Sequence, residues 1–452
     1  MNLPLCFPGK ALVCLSFIFL LAGGAADVAV QAQNASFDVL AYEARIEPDI
    51  ANKSVKGTVS VKFNSLENNL AEIQLNAGAL EIDAVRERKT ALKFEKRESL
   101  LIISLARRAR MNEKREIEIE YHGTPRFGIR FFPEQQQRQV HTLFSTSQWM
   151  PCVDAPGDRA AFRLNLILPK DLKAVGNGRF VGESALPGDK ISSVWEQKNP
   201  VPTYIFGFAA GNFREVVQNH RGVRLRYLAS PQFSETEMRQ IFRDTADMLD
   251  FFESKAGVRY ADEVYTQVLA AGTVEQEMSG FTAMNEAYGR EVLKNEKEIW
   301  LAAHEFAHQW WGNMVTNRDW THFWLNEGVA TFMTAAYKEH RFGRAEYLSE
   351  IEKSRTRYER VRDAGKDKSL VFPDWNKPTR EDRTLVYQKG AYVTHLLREQ
   401  MGDAAFWKGL KEYTQKYWGK SVTTADFQST MEKSSGKDLS AFFNKWVYLA
   451  EN

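Results

Sequence analysis

Two histidines stand four residues apart in "HEFAHQWWGN", His304 and His308, with Glu305 directly after the first. Residues at i and i+4 share one face of a helix, so both imidazoles can meet at one metal ion. Glu305 then projects beside that ion rather than onto it, where a base for a metal-activated water is needed. The flanking "IWLAAHEFAHQWW" is strongly apolar and predicts a buried helix, inside which histidines need a partner. The bland reading is a pair of satisfied core histidines. Catalytic zinc usually takes three protein ligands and keeps one position open. Glu327, 19 residues after His308 in "FWLNEGVATFM", supplies the third, because an acid in an apolar helix is costly to bury unpartnered. An acid favoured by a helix N-terminus would explain Glu327 but not the matching histidines. The ligand types favour zinc over manganese or cobalt, one ion per chain. In such a site zinc brings a water to a pKa of about 7. Glu305 is expected to take its proton and later hand it to the leaving amine. Zinc and one further donor would hold the oxyanion.

These residues need a scaffold. The chain has 452 residues, 44% hydrophobic and 26% charged, with 60 basic against 58 acidic side chains. That is a soluble globular composition with length for two or three domains, and no charge bias toward nucleic acid or an anionic membrane. From Ser36 to about His220, short apolar or alternating runs such as "TVSVKF", "LLIISL", "REIEIEY" and "FRLNLILP" predict strands separated by turn clusters. From Ser234 to Gly257 the spacing of apolar residues predicts one helix, with Ser234 as N-cap. After a strand-rich piece, helices are expected over 296–311, 326–341, 345–364, 390–401 and 404–417, then two short ones. The division is therefore a β domain over 33–218 and a mostly helical domain over 219–452 that carries the histidines.

Residues 1–32 read differently. One lysine, an eleven-residue apolar run and a small, nearly uncharged tail form the layout of a secretory signal peptide cut after Ala32. The run is shorter than the roughly 20 residues that span a bilayer; an uncleaved anchor is the alternative. The expected location is periplasmic or secreted. Cys6 and Cys14 would leave with the leader, so Cys152 remains alone, read as a buried structural thiol rather than a nucleophile. Asn34 and Asn52 sit in weak glycosylation sequons.

Three segments carry a family likeness. "HEFAHQWWGNMVTNRDWTHFWLNEGVATF" has an eighteen-residue gap between the second histidine and the glutamate; "MPCVDAPGDRAAFRL" falls at 150–164 and "VYQKGAYVTHLLREQMG" at 386–402. They resemble, in order, the gluzincin zinc aminopeptidases of the membrane alanyl aminopeptidase (aminopeptidase N) family, which also contains the leukotriene epoxide hydrolase. "WTHFWLNEG" is similar to the latter branch. The resemblance implies an α+β multidomain fold: an N-terminal antiparallel β sandwich or saddle, then a thermolysin-like zinc peptidase domain. It implies His304, His308 and Glu327 as zinc ligands, Glu305 as general base, and Tyr387 as hydrogen-bond donor to the tetrahedral oxyanion. By composition Tyr387 is an ordinary helix-start tyrosine. The family's Gly-x-Met-Glu-Asn motif resembles "GTVEQ" (272–276), altered at Val274 and Gln276 but keeping Gly272 and Glu275. Glu275 would pair with a substrate's free α-amine; its alternative is a surface acid in a glutamate-rich stretch. The second amine-binding acid of relatives has no counterpart in "VHTLFSTSQW", where Gln148 is the candidate substitute. The chain ends about where the relatives' catalytic domain does, so a short form without the C-terminal helical domain, and with a more open cleft, is expected.

The expected function is a zinc aminopeptidase acting on short peptides with a free N-terminus. The alternatives are a non-peptide hydrolase, such as an epoxide hydrolase, and a non-catalytic peptide-binding homologue. The complete set His304, Glu305, His308, Glu327 and Tyr387 speaks against the last, and Glu275 favours the first. The sequence names no preferred N-terminal side chain and no oligomeric state.

Overall fold

Alternation builds the first half. In the strand Lys114–Gly123, Ile117, Ile119 and Tyr121 point inward while Glu116, Glu118 and Glu120 face solvent. The computed structural model describes residues 36–372, 375 and 378–449; the leader-like residues 1–32, with Cys6 and Cys14, and Asn34 lie outside them. Lys114–Gly123 belongs to an eight-stranded sheet centred on Phe37–Asp49 and Ser54–Ser65. Its pairs are antiparallel except one: Phe37–Asp49 runs parallel to Arg159–Pro169, with Ala41 opposite Ala161. A three-stranded sheet, Leu70–Asn76, Phe94–Arg97 and Leu100–Ala109, shares its core through Ile73, Leu75, Leu101 and Ile103. Cys152 is buried in that core, its backbone bonded to Asn76, as a structural thiol requires.

A four-stranded sheet joins the halves. Its strands are Ile129–Phe132, Gln139–Thr142, Lys173–Gly176 and Phe208–Gly211. Val140 and Phe208 face the β-domain core, whereas Val175 and Ala209 pack with Val268 and Phe281 of the next sheet and with Val274 beside it. That next sheet holds Arg214–His220, Val223–Ala229, Val264–Ala270, Phe281–Asn285 and, at its edge, Glu275–Gln276. The domain boundary expected at 218 thus falls inside a strand, Arg214–His220, whose partners all come later in the chain.

The expected helix over 234–257 is two. Helix α1, Glu235–Ile241, starts in a capping box on Ser234, and α2, Thr245–Ala256, ends at Gly257. Tertiary partners break it: Asp244 accepts from Arg341 Nε (2.9 Å) and Thr245 Oγ1 donates to Gln267 (2.6 Å). Helix α3, Glu286–Lys294, precedes α4, Trp300–Ala307, which is shorter than the expected 296–311. A turn at Asn295–Glu298 precedes α4, and after it Gly312 N donates back to Val315 O, folding the chain over. Helices α5, Trp324–Phe342, and α6, Arg344–Asp363, follow. Helix α7, Arg380–Thr384, runs through one π turn, Leu385–Lys389, into α8, Gly390–Met401. Helix α9, Asp403–Tyr417, and the shorter α10, Thr424–Ser435, and α11, Ser440–Phe443, complete the domain. Helices α5 and α8 touch at Gly328 and Gly390: a Cβ on Gly328 would lie 2.7 Å from the Gly390 Cα. This close crossing sets α5, which carries Glu327, against the turn that carries Tyr387.

Candidate active site

Burial forces a choice on α4. Every residue from Leu301 to Ala307 is buried, His304 and Glu305 included. The His304 and His308 Nε2 atoms approach to 3.0 Å with their rings at 89°. The Glu327 Oε2 atom, from the first turn of α5, lies 3.3 Å from His304 Nε2 and 3.4 Å from His308 Nε2. Ligands about 2.0–2.2 Å from a tetrahedral zinc ion are themselves about 3.2–3.5 Å apart. His308 Nδ1 faces the Trp311 carbonyl at 3.0 Å, so it is the donor and Nε2 keeps a lone pair for a metal. Among the described residues these three form the metal-type cluster of His, Cys, Asp or Glu side chains, and all three are buried. The residues fit a zinc ion.

Charge couples the three side chains. Burial lowers the basicity of His308, but Glu327 outweighs it and raises the ring to about 10. Burial raises Glu327, but His308 and His304 hold it at about 2. His304 is pushed down, by burial first and then by His308, since two imidazoles this close cannot both be cationic.

More carboxylates converge there than two histidines can balance. Glu305 is buried and, among the described residues, nothing hydrogen-bonds its Oε2. Burial, then Glu277, push it well above the carboxylate range. Glu275 lies on the edge strand, one oxygen accepting from Asn285 Nδ2 at 2.7 Å and the other buried without a partner among the described residues. Burial raises it to about 8. Gly272, at φ +77°, opens this strand; a Cβ there would meet the Phe132 ring at 2.7 Å.

Glu277, two residues after Glu275, is not among the residues the sequence singles out. It is buried, accepts from Gln276 Nε2 at 2.6 Å, and its backbone carbonyl accepts from Asn313 Nδ2 at 3.0 Å. Burial raises its pKa, while its charge acts on His308, Glu327 and Glu305 alike. A signal existed: Glu277 lies in "VEQEM" between apolar Val274 and Met278, both fully buried. Gln276 ties this strand to the β domain by accepting from the Phe144 amide at 3.0 Å.

Tyr387 sits in the π turn, its ring stacked on His304 at 5.8 Å and 22°. Burial and then Glu327 hold its hydroxyl in the protonated form, the form that donates. Gln148 goes elsewhere. Its amide packs against Gly78, where a Cβ would lie 2.6 Å from it, and its Cβ and Cγ pack against Gly128, both in the β domain. The left-handed Ser145 (φ +77°) starts the tight turn Thr146–Gln148 that carries it there. Among the described residues no hydrogen bond links the Gln148 side chain to the cluster. Gln148 thus lies against the β-domain glycines Gly78 and Gly128, while Glu277 is the further carboxylate whose charge acts on His308 and Glu305.

Known proteins resemble this chain in sequence and in fold. The model of the peptidase family M1 domain matches residues 242–446, and that of the peptidase M1 N-terminal domain matches residues 39–205. Probable aminopeptidase 2 of Sulfurisphaera tokodaii is 25% identical over 426 residues, covering 90% of this chain and 53% of its own length. Leucine aminopeptidase 2 of Aspergillus oryzae is 27% identical over 429 residues, with 90% and 67% covered. The chain thus spans about half to two thirds of the length of these curated relatives. The solved structure of a mutant M1 zinc metallopeptidase from Deinococcus radiodurans, bound to a Tyr-Ser-Ala substrate, superposes with a TM-score of 0.78 at 24% identity, over 92% of this chain and 95% of that one. Yeast LTA4 hydrolase superposes at 0.81 with 20% identity, over 93% and 69%. At these identities the superpositions establish the fold.

Proposed function

Because the chain belongs to peptidase family M1 and carries both its N-terminal and its catalytic domain, we propose that it is a zinc aminopeptidase removing N-terminal residues from short peptides. The observation that carries this reading is the surplus of buried carboxylate beside the metal triad. A dication held by His304, His308 and Glu327 and facing Glu305 leaves Glu275 and Glu277 uncompensated, and an α-ammonium group supplies the missing positive charge. Held by His304, His308 and Glu327, a zinc ion would supply the Lewis acidity that polarises a carbonyl and acidifies water. Glu305, one of whose oxygens has no hydrogen-bond partner among the described residues, would take a proton from the attacking water and return it to the departing amine. The Tyr387 hydroxyl donates to the carbonyl oxygen as it gains charge. Glu275 and Glu277 hold the N-terminus so that a single residue extends to the scissile bond. Export belongs to the same proposal and is supported by the leader pattern in residues 1–32; among the described residues no helix is long and apolar enough to cross a membrane.

The test is hydrolysis of aminoacyl-aminomethylcoumarins by the purified chain, with and without chelator. No turnover across a panel of side chains, despite one bound zinc, overturns the reading. Glu275→Gln and Glu277→Gln should each lower kcat/KM for free-amine substrates about 10–100-fold, the range of one hydrogen bond to a charged group, and keep zinc. Equal cutting of N-acetylated substrates by the wild type would remove the amine-anchor role. For Tyr387→Phe the loss should fall in kcat, about 10²–10³-fold, with KM nearly constant. A change confined to KM would place Tyr387 in ground-state binding instead.

A further inference from the structure

The two ligand-bearing segments of the catalytic domain meet at one side chain of the β domain. Tyr204 lies in the turn Thr203–Ile205 and is 3% exposed. Its hydroxyl donates to the Gly312 carbonyl at 3.1 Å and accepts from Asn326 Nδ2 at 3.1 Å. Gly312 lies four residues after His308, and Asn326 immediately precedes Glu327. The Asn326 contact is thus one residue from a ligand and the Gly312 contact four.

On the histidine side, His308 Nδ1 is hydrogen-bonded to Trp311 O, the residue before Gly312. A Cβ at Gly312 (φ +140°) would stand 2.7 Å from the same ring nitrogen, so this peptide is pressed against the back of the imidazole. On the glutamate side, Asn326 Oδ1 accepts from Asn317 N at 3.1 Å, which leaves Tyr204 as the partner of its amide nitrogen. The Tyr204 ring is held independently, edge to face with Trp320 at 5.2 Å. Arg159, also from the β domain, secures the same loop by donating to Thr316 Oγ1 (2.8 Å) and Asn313 O (3.0 Å).

We infer that Tyr204 is a positioning residue for the metal: its hydroxyl fixes the spacing between the His308 turn and the start of α5, so the β domain sets the zinc affinity of the catalytic domain. Without the hydroxyl, the Asn326 amide is buried with a donor unpaired. The cheapest relief is a shift of the first turn of α5, which moves Glu327 relative to His308. Gly312 O keeps its bond from Thr316 Oγ1 (2.6 Å), so the disturbance falls mainly on the glutamate. Outer-shell partners of metal ligands act in this way, and their loss costs about 10–100-fold in affinity.

The inference rests on the zinc site of the proposed function and not on its substrate. Zinc dissociation constants are measured by competition with a chromophoric chelator at fixed pH, together with unfolding of the metal-free and zinc-loaded protein. Tyr204→Phe should bind zinc about 10–100-fold more weakly. Its zinc-dependent rise in Tm should shrink, while the metal-free Tm stays close to that of the wild type. Tyr121→Phe is the control, because that buried β-domain hydroxyl has no hydrogen-bond partner among the described residues; its zinc affinity should not change. Equal zinc affinity of Tyr204→Phe and wild type overturns the inference, as does a comparable loss in Tyr121→Phe. If Tyr204→Phe does not fold, Asn326→Ser, whose side chain is too short to reach Tyr204, should show the same weakening, and wild-type affinity there overturns it. Failure of the wild type to bind zinc would instead strike the metal site itself.

Discussion

Glu305→Gln should retain one zinc ion and lose about 10²–10⁴-fold in kcat, the range of a single general acid–base group, equivalent to about 2.7–5.5 kcal/mol of barrier. The substitution keeps the shape of the side chain and removes only its ability to accept a proton. His304 and His308 are untouched, and their ring nitrogens still meet Glu327 at 3.3 and 3.4 Å. The metal-free protein should be no less stable and is expected to gain slightly. Glu305 is buried among Glu277, Glu275 and Glu327, with one oxygen unpartnered, so its charge is destabilising in the empty fold. Such a trade of stability for chemistry is expected where function places like charges together. Metal analysis, steady-state rates and thermal unfolding of one preparation check all three. A normal rate removes Glu305 from the mechanism, and a lost metal would make it a ligand.

Glu327→Ala should abolish both metal and activity. With the carboxylate gone, two neutral imidazoles remain, below the three protein ligands of a catalytic zinc site. The affinity loss should exceed the about 10–100-fold cost of an outer-shell partner. Stability follows by mass action. Zinc at about 1,000 times its dissociation constant stabilises the wild type by about 4 kcal/mol, and this increment should vanish in the variant. The metal-free variant also loses the ion pair that holds Glu327 at about 2 and His308 at about 10, leaving a buried histidine that must become neutral. Metal content after dialysis and the zinc dependence of Tm are the measurements. Full zinc occupancy in Glu327→Ala would mean another carboxylate, Glu277 or Glu275, completes the site.

Local signals in the sequence were strong wherever one element sufficed. The i, i+4 pair His304 and His308 with Glu305 needs only a helix, and its apolar flanks announce burial. The strands of the β domain show their alternation directly, and α8 ends at the expected Met401. Errors arose where distant partners intervene. The helix across 234–257 is broken by Arg341 and Gln267, roughly 100 and 20 residues further on. The helix that should have reached Trp311 stops at Ala307, because Gly312 turns the chain back toward Val315.

By itself, then, the sequence set out the chemistry to expect: which side chains can hold zinc, which one is the candidate base, and which domain carries them, since residue type and helical spacing are local properties. Only the tertiary structure decided the surroundings of that chemistry. It turned Gln148 into the β domain, buried Glu277 beside the triad, and set Tyr204 between Gly312 and Asn326. These are contacts between segments far apart in the chain, and no periodicity records them. They form because buried polar groups must find partners, and the only partners within reach are those the packed fold brings there.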